Sequence, residues 1–339
     1  LINFMKYTIA TLASHSCLQI LKGAKDEGFI TLAIASIDRL QFYRRFNFID
    51  KIITVTDYKD IYKLIPELKK QKVIIIPHGS FVAYLGEDYD KKLELPHYGN
   101  KKVLEWEGDR LKQTEWLNKA GLFTPKLISH PSLINQLVIV KFFGAKGGSG
   151  YFLVQTEEEF KLKIKKFKGE KYIIQEYMVG TPVYLQYFYS RIKKQIELMG
   201  VDRRYETNID GLSRIPAKFE KNLEFDPTFT VIGNFPLVIR ESLLPEVYNM
   251  GERVVASSNK LIPSKGLYGP FCLETIITKN QKFYCIEISC RIVAGTNLFI
   301  NGSPYTDLTY GEPMSTGRRI AREIKDALRL NRLSEIIDY

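Results

Sequence analysis

Two glutamates carry the most informative pattern in this chain. Glu274 lies inside the apolar run 271–277 and Glu287 inside the apolar run 283–289. The five residues between the runs, Thr278 to Lys282, read as a hairpin turn. Strands paired across that turn can bring both carboxylates to one face. Adjacent buried carboxylates repel, and each raises the other's pKa unless a cation lies between them. Magnesium, or manganese in its place, is the natural cation beside a polyphosphate, because it takes hard oxygen ligands and shares them with the nucleotide. Arg291, two residues past Ser289 on the strand of Glu287, could stabilise charge on a phosphoryl group in transfer.

A second cluster is the glycine loop 144–150, which contains Lys146, Gly147 and Gly148. It joins two strand-like runs, so it is a hairpin and not a P-loop, which needs strand, loop and helix. Consecutive glycines let backbone N–H groups approach phosphate oxygens closely, and Lys146 adds a mobile cation. Lys141 sits in the otherwise apolar run 137–143, where an unpaired ammonium is costly and an anionic partner is expected. Gln175 and Glu176 lie near the end of a strand that breaks at Gly180. An amide or acid in that place can meet an adenine amino group or a ribose hydroxyl.

These groups need a frame. The first hundred residues alternate compact apolar runs (7–13, 29–35, 53–55, 73–77) with helical spacing (18–25, 61–70). That rhythm predicts a parallel sheet with helices on its faces. Such sheets bind ligands at the carboxyl ends of their strands. Two polar segments fall there: Ser14, His15 and Ser16, then His78, Gly79 and Ser80. The first precedes a helix, a place that suits a phosphate group. A long helix is expected from Val103 to about Ala120, then a small module with the glycine loop between two strands. From Tyr184 onward strands dominate, including 195–201 and 230–232, interrupted by a helix over 245–261 and closed by one over 317–330. The expected class is α/β and α+β, divided at 1–98, 99–180 and 181–339.

Composition narrows the partners. With 339 residues, 45% of them hydrophobic, the chain can bury a sizeable core. No run of about 18 apolar residues suggests a membrane span, and a cytoplasmic protein is expected. The four cysteines form no CxxC pair and read as reduced thiols. The net charge of +11 comes from scattered Lys and Arg with no nucleic-acid motif, which favours a phosphorylated small ligand over RNA or DNA.

In order, these features resemble the ATP-grasp superfamily, with an N-terminal Rossmann-like (preATP-grasp) domain. The whole chain is similar to one branch, the archaeal formate-dependent FAICAR synthetases. The stretches that carry the likeness are 13–16, 21–25, 77–81, 144–148, 197–206, 233–236, 240–244, 269–272 and 317–325. Serine stands at 289, where the superfamily's last motif has asparagine.

The resemblance implies that formate is joined to the 5-amino group of AICAR (the aminoimidazole carboxamide ribonucleotide), with ATP cleaved to ADP and phosphate. It implies that His15, Ser80 and Asn234 contact AICAR and Glu206 contacts ATP. It places magnesium on Glu274 and Glu287, and it suggests a homo-oligomer. Formate is a poor acyl donor until phosphorylation turns one oxygen into a leaving group; that step needs alignment and charge neutralisation. Lys141, Lys146 and Arg291 are the cations expected around it. His15 and His78 are both candidates for a base that takes the amine proton. Another carboxylate–amine ligase, or a nucleotide-binding protein without turnover, would share most of these features.

Overall fold

The computed structural model describes residues 7–86, 88–143, 151–167, 169–212, 214–220, 228 and 230–339. Apolar runs near the start become strands β1 (Thr8–Leu12), β2 (Ile30–Ser36), β3 (Lys51–Val55) and β4 (Val73–Ile75), and two residues form β5 (His97–Tyr98). β1 pairs in parallel with β2 and β4, as the alternation with helices requires. All five residues of β1 are buried, because helices cover the sheet on both faces.

The last strand, β15 (Ile337–Asp338), returns to this sheet and pairs antiparallel with β5. The preceding helix Thr316–Arg329 packs on the helix Cys17–Asp26. A Cβ on Gly317 would stand 2.3 Å from the Gln19 carbonyl oxygen, so the two helices meet only through glycine at that point. Glu27, nearly fully buried, ties this junction by ion pairs to Arg318, Arg322 and Lys325. Burial alone would raise its carboxyl, but the three cations hold it at about 2.

A four-stranded sheet holds β6 (Leu127–Ile128), β7 (Val138–Phe142), β8 (Tyr151–Val154) and β9 (Tyr172–Glu176), ordered β6-β9-β7-β8. A five-stranded antiparallel sheet holds β10 (Thr181–Ser190), β11 (Gln195–Glu206), β12 (Val231–Pro236), β13 (Gly269–Ile277) and β14 (Phe283–Ser289), ordered β12-β11-β10-β13-β14. One face carries Val183, Leu185, Val201, Leu273 and Ile288, all packed in a core with Val247, Met250 and Val254 of the helix Leu244–Leu261. Alternation then sends the polar side chains of the same strands to the other face.

Two expectations are corrected. The helix expected over 103–120 is two helices, Lys101–Gly108 and Arg110–Lys119. The chain turns out of helix at Asp109 (φ −109°, ψ 112°), whose carboxylate caps the second helix by accepting from the N–H groups of Leu111 and Lys112. The strand expected to end at Val201 runs on to Glu206, paired with β12. The four cysteines are free thiols. No described helix is long and apolar enough to cross a membrane.

Candidate active site

The polar face of the five-stranded sheet gathers most of the charged groups. Glu274 and Glu287 are direct partners across the β13–β14 hairpin, so their side chains leave the same face. Glu274 is buried and holds a two-pronged ion pair with Arg204, at 3.0 Å and 2.5 Å. The Arg204 guanidinium lies 3.9 Å above the Tyr184 ring. Glu287 is more open and stands 3.5 Å from Arg110.

Lys141 of β7 faces this pair from the four-stranded sheet. Burial pushes its ammonium pKa down, and the fields of Glu287 and Glu274 support the charge. Gln175 shares its face, since Ile139 and Lys141 pair with Gln175 and Ile173. Arg110, Gln113, Lys141, Gln175 and Cys285 line one small cavity between the two sheets. Glu176 points the other way and accepts from the Lys126 N–H at 3.3 Å. Glu206 ends β11, where its charge acts on the phenols of Tyr151 and Tyr177. Burial raises the Glu206 carboxyl to about 6; Arg204 opposes the shift, and Asp210 and Glu274 add to it.

Arg291, two residues past β14, joins the five-stranded sheet to the N-terminal sheet. It pairs with Glu107 at 3.0 Å, and the second oxygen of Glu107 accepts from the Cys290 N–H at 2.8 Å. The next residue, Ile292, bridges to His78 at the end of β4. His78 is fully enclosed: its Nε2 meets the Leu12 carbonyl at 2.9 Å, and its Nδ1 accepts from the Ser80 N–H at 3.2 Å. With both nitrogens engaged, His78 orients the loop and has no lone pair free to act as a base. Burial lowers its pKa to about 4.

His15 stacks on His78, with ring centroids 5.2 Å apart and planes 2° from parallel. Its backbone is left-handed (φ 53°), which aims the ring across Gly79. The residue is exposed, and its Nδ1 meets the Ser16 hydroxyl at 2.8 Å. Desolvation, then the His78 ring and the Arg291 charge, hold it neutral, at about 3. Ser80 lies beside it, its Oγ 3.4 Å from that of Ser14, and Ser14 meets the Tyr84 hydroxyl at 3.0 Å. Asn297 donates to the His15 carbonyl at 3.1 Å, and Gly295 on the same loop abuts Asp202. Asp202 in turn accepts from Asn234 at 2.8 Å. So the 295–297 loop links His15 to Asn234, and Ser80 joins them through Ser14.

A Cβ on Gly79 would stand 2.5 Å from His15 Nε2. Gly79→Ala is therefore expected to displace the ring and, on the AICAR role that the resemblance implies for His15, to weaken AICAR binding about tenfold, as His15→Ala would, with ATP affinity unchanged. Calorimetric titration of each ligand checks this; loss of ATP affinity alone would overturn the assignment of this end of the cleft.

Lys146, Gly147 and Gly148 lie outside the described residues. Two carboxylates on one face suit a magnesium ion that takes its other ligands from phosphate and water. Ser289 stands on that face too, opposite Cys272. Among the described residues no group of three or more His, Cys, Asp or Glu forms a closed metal cage. The sequence reading missed Glu107, Arg110 and Arg204.

Family models match residues 9–128 (a protein of unknown function, DUF1246) and 155–338 (a domain of unknown function, DUF1297). The 5-formaminoimidazole-4-carboxamide-1-(beta)-D-ribofuranosyl 5'-monophosphate synthetase of Pyrococcus horikoshii is 49% identical over 336 residues, covering 97% of this chain and 99% of that protein. The chain belongs to this synthetase family. The Saccharolobus solfataricus synthetase is 48% identical, with 97% and 99% covered. A crystal structure of an IMP biosynthesis protein PurP from Thermococcus kodakaraensis superposes with a TM-score of 0.78 at 31% identity, covering 97% of this chain and 100% of that one. The fold is the ATP-grasp fold. The N5-carboxyaminoimidazole synthetase of Staphylococcus aureus, complexed with ADP, shares it with a TM-score of 0.61 at 17% identity, covering 86% and 72%.

Proposed function

We propose that this synthetase-family chain formylates AICAR to FAICAR, with formate as the carbon source and ATP cleaved to ADP and phosphate. The observation that carries the reading is the in-register pair Glu274 and Glu287, facing Lys141 across the cleft and joined through Arg291 to the His15 pocket. Glu206 and Gln175 hold the nucleotide at the seam of the two sheets, while Glu176 is turned away onto Lys126. His15, Ser80 and Asn234 hold AICAR.

A formate oxygen attacks the γ-phosphorus of ATP, ADP leaves, and formyl phosphate forms. The AICAR amine then attacks the formyl carbon, and phosphate leaves with that oxygen, taking up the proton that the amine gives up. Lys141 and Arg291 offset charge on the phosphoryl oxygens. Magnesium held by Glu274 and Glu287 would neutralise further phosphate charge and fix its geometry. Neutral His15 offers AICAR a hydrogen bond without adding charge. Formyl phosphate hydrolyses readily, so the cleft must exclude water while the amine attacks.

The test is isotopic. With 18O-labelled formate, ATP and AICAR, inorganic phosphate should carry one label per FAICAR formed. Unlabelled phosphate would sink the formyl phosphate route. ADP release that ignores formate and AICAR added together would instead favour a nucleotide-binding protein without turnover, the reading that Ser289 at the asparagine position supports.

A further inference from the structure

Arg204 has a position that the reaction above does not use. Its guanidinium takes both oxygens of Glu274, the buried half of the carboxylate pair. A divalent ion cannot use the same lone pairs while the guanidinium stays. The Arg204 side chain is 26% exposed, so one side of it opens to the cleft. It rests flat on Tyr184, a surface on which a guanidinium can turn while keeping its cation–π contact.

Once released, the guanidinium has two other carboxylates near it, Asp202 and Glu206, the latter assigned above to the nucleotide. Asp202 is already bonded by Gln186 and by Asn234. Asn234 is the direct cross-strand partner of Arg204. The charge therefore sits between the metal carboxylate and a residue of the AICAR pocket, where a small carboxylate would have to lie. A guanidinium fork matches a carboxylate in two-pronged fashion.

We propose that Arg204 exchanges anions: it neutralises Glu274 before the divalent ion arrives, then turns on Tyr184 to bind the carboxylate substrate. The ion and the acid thus load in order, and the acid finds its ligand only after the metal site has filled. This rests on the formate-ligase reading of the site.

Two variants test it. Arg204→Met removes the competitor for Glu274 but keeps an apolar arm on Tyr184. Mn²⁺–ADP binding, read by electron paramagnetic resonance, should be as tight as in the unaltered chain or tighter, while KM for formate rises about tenfold or more, the effect of losing a charged hydrogen-bond partner. Mn²⁺–ADP binding that weakens tenfold, or an unchanged formate KM, overturns the exchange. Glu274→Gln keeps the guanidinium but frees it. Without any metal, 13C-formate should bind this variant about tenfold more tightly than the unaltered chain, read by NMR line broadening. No gain there also overturns the proposal, even if Arg204→Met fails to fold. Should the unaltered chain make no FAICAR, the functional reading fails, while the Mn²⁺–ADP arm still reports on Arg204.

Discussion

Glu287→Gln is expected to cut ADP formation by at least about a hundredfold, beyond the roughly 10–100-fold that changes around a metal ligand cost. The side chain keeps its length and one acceptor oxygen, and a third of it is open to solvent, so the hairpin should stand. What disappears is one of the two negative charges of the Glu274–Glu287 pair. Arg110 loses its partner at 3.5 Å. Lys141 loses the largest of the fields that support its buried ammonium, so it deprotonates more readily than before. AICAR should still bind within a few-fold, because its pocket is anchored by His78, Asn297 and Asp202 instead. A coupled ADP assay beside an AICAR titration reads both effects. If the two fall together, Glu287 is holding the fold and not the metal.

The Glu274–Glu287 pair was legible because each acid interrupts an apolar run and the turn between them is short. The hairpin closes as that pattern predicts, with the Thr278 N–H donating to the Lys282 carbonyl at 3.0 Å. The extension of β11 was harder. Asp202, Arg204 and Glu206 look like a charged loop after an apolar strand, yet they recur at every second residue and share a face. That period was the signal, and it would have found Arg204. Glu107 offered none. It sits among other charges on a short helix, and its partner Arg291 is 184 positions away, so only the folded chain brings them together. The split at Asp109 was visible only as a glycine followed by a good capping residue. His78 shows the opposite limit. Its position at a strand end predicted a functional place, but whether its nitrogens were free depended on the Leu12 carbonyl, 66 residues earlier.

Arg319→Met is expected to destabilise the protein by about 3–5 kcal/mol, the cost of stranding buried carboxylates. Arg319 is wholly buried, 2.7 Å from Glu197 and 2.9 Å from Glu323, and its guanidinium lies 4.3 Å from the Phe188 ring centre. Tyr310 donates to the same Glu197, and Ser190 and the Ile192 N–H donate to Glu323. Glu197 lies on β11, so this knot fixes the strand that carries Arg204 to the closing helix. The melting temperature should drop by roughly 5–10 °C. The pH dependence distinguishes a charge effect from a packing effect. Burial would raise the Glu197 carboxyl, but the hydrogen bond and charge of Arg319, with the hydrogen bonds from Tyr310 and Gln195, together outweigh it and hold the group below its ordinary value. A depressed carboxyl contributes stability above its unfolded pKa and loses it as the pH falls through the folded value. Without Arg319 the sign reverses: the Glu197 carboxylate, buried without its cation, takes up a proton more readily folded than unfolded, and acid relieves it. The gap between Arg319→Met and the unaltered chain should therefore narrow from pH 7 to pH 4 in urea unfolding curves. A gap that stays constant over that range would mean that the arginine acts by filling space against Phe188 and not by its charge.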